Sequence, residues 1–515
     1  MESRSHDPRI DSDLPSIRLV HTHNEYFHAG DTDEEVCEIP VLPSARFPLA
    51  AGISSSLLLP LYDPSHVGET YSEQKPSDED FEKLREAIAV SFLCGAGQLL
   101  AFSAGRLPII LIDPGVRVDA EIDGALSLSS ADKVRSEFEQ TFSVIHNDQR
   151  PHLHFVEHLK HMKMESKQKL LPLWVLEDLI NQRCIISPQV HFSLGSKQAL
   201  FESNLTSPRC EIIEFKTLPS RDPKNCCNIC RDHWNEFQIP RNCTGPRKQW
   251  LDAECDRALQ HLLAKPLPYL IKLQQTMGGN GTRSARNPRE LVDAAYFISQ
   301  TYLPNHLPRL TEQNVPLQPM NLVLSDIVDY VAHHAVNFFL KNNGDPVFVC
   351  VAQEMTVKER VWVGDTITYS QQSKLEGRLG PTMRQVSAFL HSKGYYGPVA
   401  LDVLEDKAGV QWVVDLNVRT GGSYILGTLK KHFVDNGLDH ASLLLLMNVK
   451  IDRRALVERF FLEFQKGNVI IVAWYEKTKG ESSGYVAIGA KMFQELRQKE
   501  KMFQELSDIY SSVVQ

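Results

Sequence analysis

The sequence predicts an α/β chain: an α/β N-terminal domain followed by a region richer in paired strands. Three observations carry this. LPIILID at 107–113 is an apolar run closed by Pro114-Gly115, as a buried strand would be. Phe81, Leu84, Ile88 and Phe92 fall near helical spacing across 77–93, and further helix and strand patterns continue to about residue 190. From 266 onward, short apolar runs at 266–272, 321–328, 333–340 and 346–353 alternate with helical stretches and turn residues.

At 515 residues the chain has room for two to four domains or subdomains. Residues 1–45 are polar and acidic, with a run from Asp31 to Glu35, and are expected to be frayed or loosely packed. Residues 46–190 form the α/β domain, 191–450 the central region and 451–515 a C-terminal extension. Asn287, Pro288 and Glu290 open a helix as cap, first residue and capping partner. Its apolar face is Leu291, Ala294, Ala295, Ile298 and Tyr302. Val386, Phe389 and Leu390 mark another helix, ended at Gly394. The tail repeats KMFQEL at 491–496 and 501–506; two copies are too few for a solenoid, and a charged amphipathic helix is the physical reading.

Hydrophobic residues are 42% and charged residues 23%, ordinary for a protein with a sizeable core. A net charge of −9 argues against a general nucleic-acid binder. The opening MESRSHDPRI lacks the apolar stretch of a signal peptide, no apolar run approaches membrane-spanning length, and SSVVQ carries no lipidation or peroxisomal tag. The expectation is a cytoplasmic enzyme with no membrane partner.

Ten cysteines are too few for a disulfide scaffold in a chain this long. Cys226, Cys227, Cys230 and Cys243 nevertheless crowd together, with His233 between them, in a segment (216–249) that lacks periodicity and reads as an insertion or mobile loop. Cys227 and Cys230 have the spacing of half a zinc knuckle, but no second pair follows at regular spacing. A structural metal and a set of reduced loop thiols both remain open.

The strongest chemical pattern is GPVALDVLEDKAGVQWVVDLNVRTGGS at 397–423, two strands joined by a short loop at Asp406 to Gly409. Alternation puts Asp415, Asn417 and Arg419 on one face and Val414, Leu416 and Val418 on the other. Asp402 sits among apolar residues of the partner strand. If Glu405 pairs with Val410, Asp402 lies diagonally across from Asp415, roughly 7–8 Å away at the backbone. Unpaired buried charge is costly. Two carboxylates and an amide oxygen on a half-buried face therefore suit a hard cation such as Mg²⁺. The bland alternative is a surface hairpin in which Asp415 and Arg419 pair with each other.

A second element, YLIKLQQTMGGNGTRSA at 269–285, ends a strand at Lys272 and follows it with Gly278, Gly279, Gly281 and Thr282. Glycines let backbone N–H groups approach a polyphosphate. No Walker A pattern is present. A third, GSKQAL at 195–200, places Lys197 at the start of a helix.

In this order and spacing the three elements resemble the ATP-grasp superfamily, over roughly residues 190–450. Lys197 is similar to that family's first lysine and Lys272 to its second. Gly278 to Thr282 resembles its loop over the ATP phosphates. Asp402 resembles its first metal acid, and Asp415, Asn417 and Arg419 its acid-x-Asn-x-Arg run. LVLSDIV at 322–328 sits where the family contacts adenine, with Asp326 as a carry-over. Asp stands at both metal positions where Glu is commoner, and the insertion between the two lysines is unusual.

The resemblance implies a fold of α/β and α+β class, with two lobes clamping ATP after the N-terminal domain. It implies ATP and Mg²⁺ (or Mn²⁺) as cofactors, with Asp402, Asp415 and Asn417 on the metal. It also implies a reaction: a carboxylate attacks the γ-phosphate, and an amine or thiol displaces phosphate from the acyl phosphate. Lys272 and Arg419 would be the catalytic cations. In general look the chain is also similar to ATP-grasp proteins of fungal natural-product clusters of the fumisoquin type. That implies amino-acid-like substrates in secondary metabolism, and association with other biosynthetic enzymes. Two other readings keep the fold: a small-molecule kinase, and a non-catalytic nucleotide-binding component of a biosynthetic assembly.

Overall fold

A computed structural model describes residues 14–27, 35–41, 95, 97–112, 131–219, 222, 227–231, 239–240, 242–276, 281–357, 361–478 and 480–507. The helix expected at 77–93, Pro114-Gly115, Cys226, His233, Gly278 and Gly279 lie outside the described residues.

Three sheets follow one another along the chain. The first holds β1 (Glu35–Ile39), β2 (Pro108–Ile112), β3 (His152–Val156) and β4 (Gln168–Pro172), in the order β3-β2-β1-β4, with all pairs parallel. The Ala131–Ser143 helix lies between β2 and β3 in sequence and packs against the third sheet. The second sheet is antiparallel: β5 (Cys210–Ile213), β6 (Tyr269–Lys272), β7 (Thr282–Ala285) and β8 (Leu322–Asp326), ordered β5-β8-β6-β7. The third has eight antiparallel strands: β9 (Tyr330–Leu340), β10 (Pro346–Val357), β11 (Val361–Thr368), β12 (Gly397–Asp406), β13 (Gln411–Asn417), β14 (His440–Val449), β15 (Val469–Thr478) and β16 (Glu481–Ala490). Their order is β13-β12-β9-β10-β11-β14-β16-β15. The chain is thus of mixed α/β class, with one parallel sheet and one large antiparallel sheet. Residues set apart above as a C-terminal extension supply β15 and β16 to the large sheet.

The N-terminal segment departs from expectation. Glu35–Ile39 is an inner strand between β2 and β4, and Ile17, Leu19 and Phe27 are buried, so the described part of 1–45 is packed core. The acidic run beside it masks a strand whose Val36, Cys37 and Ile39 are all buried.

Elsewhere local sequence acts as read. Asn287 caps its helix, its side chain accepting from the Glu290 N–H, while Glu290 accepts from the Arg286 N–H. Leu291, Ala294, Ala295, Ile298 and Tyr302 are buried, with π-helical pairing from Phe297 to Tyr302. The helix marked by Val386 and Leu390 runs from Gln372 to Ser392 and stops before Gly394, which takes φ +84°. In the tail helix, Phe493–Gln504, Leu496 of the first KMFQEL copy and Phe503 of the second are buried, while Phe493 and Met502 are exposed. A ten-residue offset does not match a 3.6-residue period, so the copies use different faces.

Phe338 and Phe339 on β9 point to opposite faces and neither is exposed, so the large sheet is covered on both sides at that strand. At about 1.5–3 kcal/mol per buried side chain, such pairs fix the register that positions the polar residues described next. No helix among the described residues is long and apolar enough to cross a membrane.

Candidate active site

The site is built on the edge of the large sheet. β12 and β13 form the expected hairpin, but in a different register. Glu405 pairs with Gln411 rather than Val410, and Asp402 pairs directly with Asp415. The diagonal arrangement expected above is corrected by a β-bulge. Val403 opposes Val413 while Asp402 opposes Asp415, so Val414 is the extra residue. Two consequences follow. Directly opposed side chains on one face begin only about 4.5–5.5 Å apart at Cβ, closer than diagonal ones. The Val414 carbonyl, released from the ladder, accepts a hydrogen bond from Lys272 Nζ at 2.9 Å.

Lys272 reaches that carbonyl from the end of β6, on the second sheet. Lys197 reaches the same place from the start of the short helix Gln198–Glu202, its Nζ lying 2.5 and 2.6 Å from the two oxygens of Asp415. The Lys197 backbone is tied to the chain just past β6, donating to the Gln274 carbonyl at 3.1 Å. Both lysines therefore bridge the second sheet to the third. Burial lowers the Lys272 pKa, assisted by Lys197, while Asp415 opposes that shift. Asp415 is pulled below the usual carboxylate range despite its burial, held there by Lys197 first and then by Lys272 and Arg419.

Asp402 turns to a different set of neighbours. Register places Asp402 opposite Ala335, Ala335 opposite Ala352, and Glu354 opposite Asp365, so four carboxylates line one face across five strands. Ligand atoms of Asp402, Glu354 and His333 all lie within 4.8 Å of one another. His333 Nε2 is 4.0 Å from Asp402 Oδ1, and its Nδ1 is 3.8 Å from Glu354 Oε2. Burial pushes Glu354 up to about 7, with Asp415 adding to it. Asp402 is also raised, by burial, then Glu354 and Asp415. Asp365 is raised by burial and Glu354, although the Trp362 Nε1–H donates to it at 3.1 Å.

Carboxylates that hold protons this tightly lack compensating positive charge. A divalent cation would supply it, and the oxygen donors suit Mg²⁺ or Mn²⁺. Asn417 lies on the same face, opposite Ala400.

Glu354, Asp365 and His333 were not picked out from sequence. The signal that found Asp402, an acid inside an apolar strand, also marks Glu354 in PVFVCVAQEMTV and Asp365 in VWVGDTIT.

Arg419 follows the hairpin and is 8% exposed. Its guanidinium carbon sits 4.3 Å from the centre of the Trp174 ring. Burial lowers it to about 10 against the pull of Asp415 and Asp402. It lines a cleft against the first sheet with Glu38, Leu100, Pro172, Leu173 and Thr420. The preceding residue is anchored by His191, whose Nε2–H donates to the Val418 carbonyl at 2.9 Å. Burial pushes that imidazole down to about 4, so it stays neutral.

Gly281 immediately precedes β7, and Thr282, its first residue, pairs with Lys272. A Cβ on Gly281 would lie 2.1 Å from Thr276 Cγ2, so the chain's own close approach already demands glycine there. Asp326 is not brought into the cluster. It is exposed at the end of β8, with Lys265 Nζ 3.7 Å away.

Among solved structures, the chain is similar to an L-amino acid ligase from Bacillus licheniformis (10% identity, TM-score 0.45, covering 93% of this chain and 98% of that one). It is similar to N5-carboxyaminoimidazole synthetase from Staphylococcus aureus in complex with ADP (10% identity, TM-score 0.44, 92% and 98%). It is also similar to phosphoribosylamine–glycine ligase from Thermotoga maritima (11% identity, TM-score 0.44, 79% and 93%). No family model and no curated protein matches the chain. At these identities and scores, the geometry of the site carries the assignment.

Proposed function

We propose that the chain is an ATP-dependent ligase of the ATP-grasp type, joining a carboxylate to an amine through an acyl phosphate. One observation carries the reading. Lys197, from the start of a short helix, meets the Asp415 carboxylate, Lys272, from the second sheet, meets the adjacent Val414 carbonyl, and beside them lies a row of further buried carboxylates. Cations on one side and cation-seeking oxygens on the other are what a metal–triphosphate needs.

In this reading Asp402 and Glu354 would hold Mg²⁺, with Asp415 and Asn417 on the same face. When bound, the ion would polarise phosphate oxygens as a Lewis acid. Lys197 and Lys272 exchange their contacts on Asp415 and Val414 for phosphate oxygens, offsetting charge on the transferring group. Arg419, stacked on Trp174, holds the incoming carboxylate in its planar fork. The cleft that Arg419 lines supports an amino-acid-like substrate: a fixed cation faces apolar walls, and the Glu38 carboxylate on the same lining is held by the His23 ring. Placement in secondary metabolism rests on the insertion, the DLNVRTGGS run and the chain length.

The test is ADP release, with the product read by mass spectrometry, across a matrix of carboxylates and amines at fixed ATP and Mg²⁺. ADP and phosphate should appear only when an acid and a nucleophile are both present. AMP and pyrophosphate, or a stable phosphorylated product without an amide, would overturn the reading.

A further inference from the structure

Cys227, Cys230 and Cys243 play no part in the chemistry above, yet their sulfurs converge. The Cys227 sulfur is 3.6 Å from that of Cys230 and 3.5 Å from that of Cys243, and all three lie within 4.8 Å of one another. None is in a disulfide. A covalent S–S bond would be about 2.05 Å. Tetrahedral zinc with Zn–S bonds of about 2.3 Å spaces its sulfurs about 3.8 Å apart, because a tetrahedron's edge is about 1.6 times its centre-to-corner length. The observed spacings lie near that edge.

The backbone supports the same arrangement. The N–H groups of Thr244 and Cys230 point to the Cys227 sulfur, and that of Gly245 to the Cys243 sulfur. Such donors stabilise sulfur that carries negative charge. Cys230 and Cys243 are 0% and 4% exposed, and their packing neighbours are Cys227 and Ile239 rather than either large core. Three converging sulfurs, two of them buried, supply three of the four ligands of a tetrahedral structural metal site.

We propose that Cys227, Cys230 and Cys243 bind one structural Zn²⁺ through three thiolates. The ion would fasten Cys227 and Cys230 to Cys243, three residues before the Pro246–Ala264 helix starts. Leu251, Cys255, Ala258 and Leu262 of that helix share a core with Tyr269 and Ile271 of β6, whose last residue is Lys272. The Tyr269 hydroxyl donates to the Leu262 carbonyl at 2.6 Å. The metal would therefore brace the lobe that carries Lys272, without touching substrate. This inference stands whether or not the ligase reading holds.

The test uses the full chain expressed in zinc-replete medium. Elemental analysis should give about one zinc per chain, and a mercurial titration should release it as the thiols react. Cobalt exchanged into the site should show the intense visible bands and sulfur-to-metal charge transfer of a tetrahedral thiolate site. Cys243→Ser and Cys227→Ser should lose the metal, while Cys184→Ser should keep it. Should either serine variant fail to fold, the mercurial release and cobalt spectrum of the unmutated chain decide. Bound zinc below about 0.1 per chain, iron in its place, or a disulfide within 227–243 seen as a 2 Da loss (about 1 Da per hydrogen) would overturn the proposal.

Discussion

Replacing Asp415 by Asn keeps the shape of the side chain and removes the charge that Lys197 and Lys272 share. Lys197 Nζ touches both oxygens of Asp415, with the lysine side chain 9% and the aspartate side chain 26% exposed. Breaking a buried pair by removing one partner costs about 3–5 kcal/mol. The partial exposure of Asp415 favours the lower end, about 3 kcal/mol. For 515 residues at roughly 2.1 cal/mol/K each, the unfolding entropy is about 1.1 kcal/mol/K, so the melting temperature should fall by about 3 °C. Lys197→Met alone should also destabilise. The double variant Lys197→Met/Asp415→Asn should be more stable than the sum of the two single losses implies, because neither partner is left stranded. Differential scanning fluorimetry reads the stability, and ADP release reads the activity, which should fall at least about 100-fold. Additive losses in the double variant, or unchanged turnover in Asp415→Asn, would refute the reasoning.

Glu354→Gln should raise the Mg²⁺ concentration needed for half-maximal turnover by about tenfold or more, read by metal titration, with little loss of fold. Gly281→Ala should lower stability by about 1–3 kcal/mol, because its new methyl would overlap Thr276, and a melting curve checks it. Glu137, away from the site, predicts a pH effect. Burial holds its carboxyl proton up to about 7, against the hydrogen bond from the Glu476 N–H and the charges of Lys133 and Arg453, with the Glu476 carboxylate adding to the shift. The folded chain binds this proton more tightly than the unfolded one, so the contribution is full below about 4.5 and is lost as pH rises through about 7. Glu137→Gln should therefore gain stability relative to the parent between pH 5 and 8, by up to about 3 kcal/mol. Chemical denaturation across that range measures it.

Legibility in the sequence followed how local the controlling physics is. The Asn287 cap, the Gly394 stop and the buried face from Leu291 to Tyr302 depend on neighbours a few residues away, and the sequence displays them. The hairpin at 397–417 was readable because alternation exposes an acid in an apolar strand. Its bulge was not, because the extra residue, Val414, is chemically ordinary. Only the pairing partner and the reaching Lys272 reveal why it is displaced. The row from Asp415 to Asp365 joins two sets of consecutive strands through the pairing of β12 with β9, which are far apart in the chain, so no local spacing encodes it. The strand Glu35–Ile39 failed for another reason: acidic residues outweighed three buried apolar side chains in any short window. Arg419 was expected as a catalytic cation. Its stacking on Trp174 depends on a contact across 245 residues of sequence, which periodicity cannot show.

The central claim is that this cluster passes a phosphoryl group from ATP to a carboxylate. Incubating the chain with ATP, Mg²⁺, an amine mixture and carboxyl-¹⁸O-labelled amino acids tests it at the bond concerned. Acyl-phosphate chemistry predicts inorganic phosphate carrying one ¹⁸O atom, seen by mass spectrometry or as a shifted ³¹P resonance, and abolished in Asp415→Asn. Label appearing in AMP, or phosphate released without label as ATP is consumed, would contradict it.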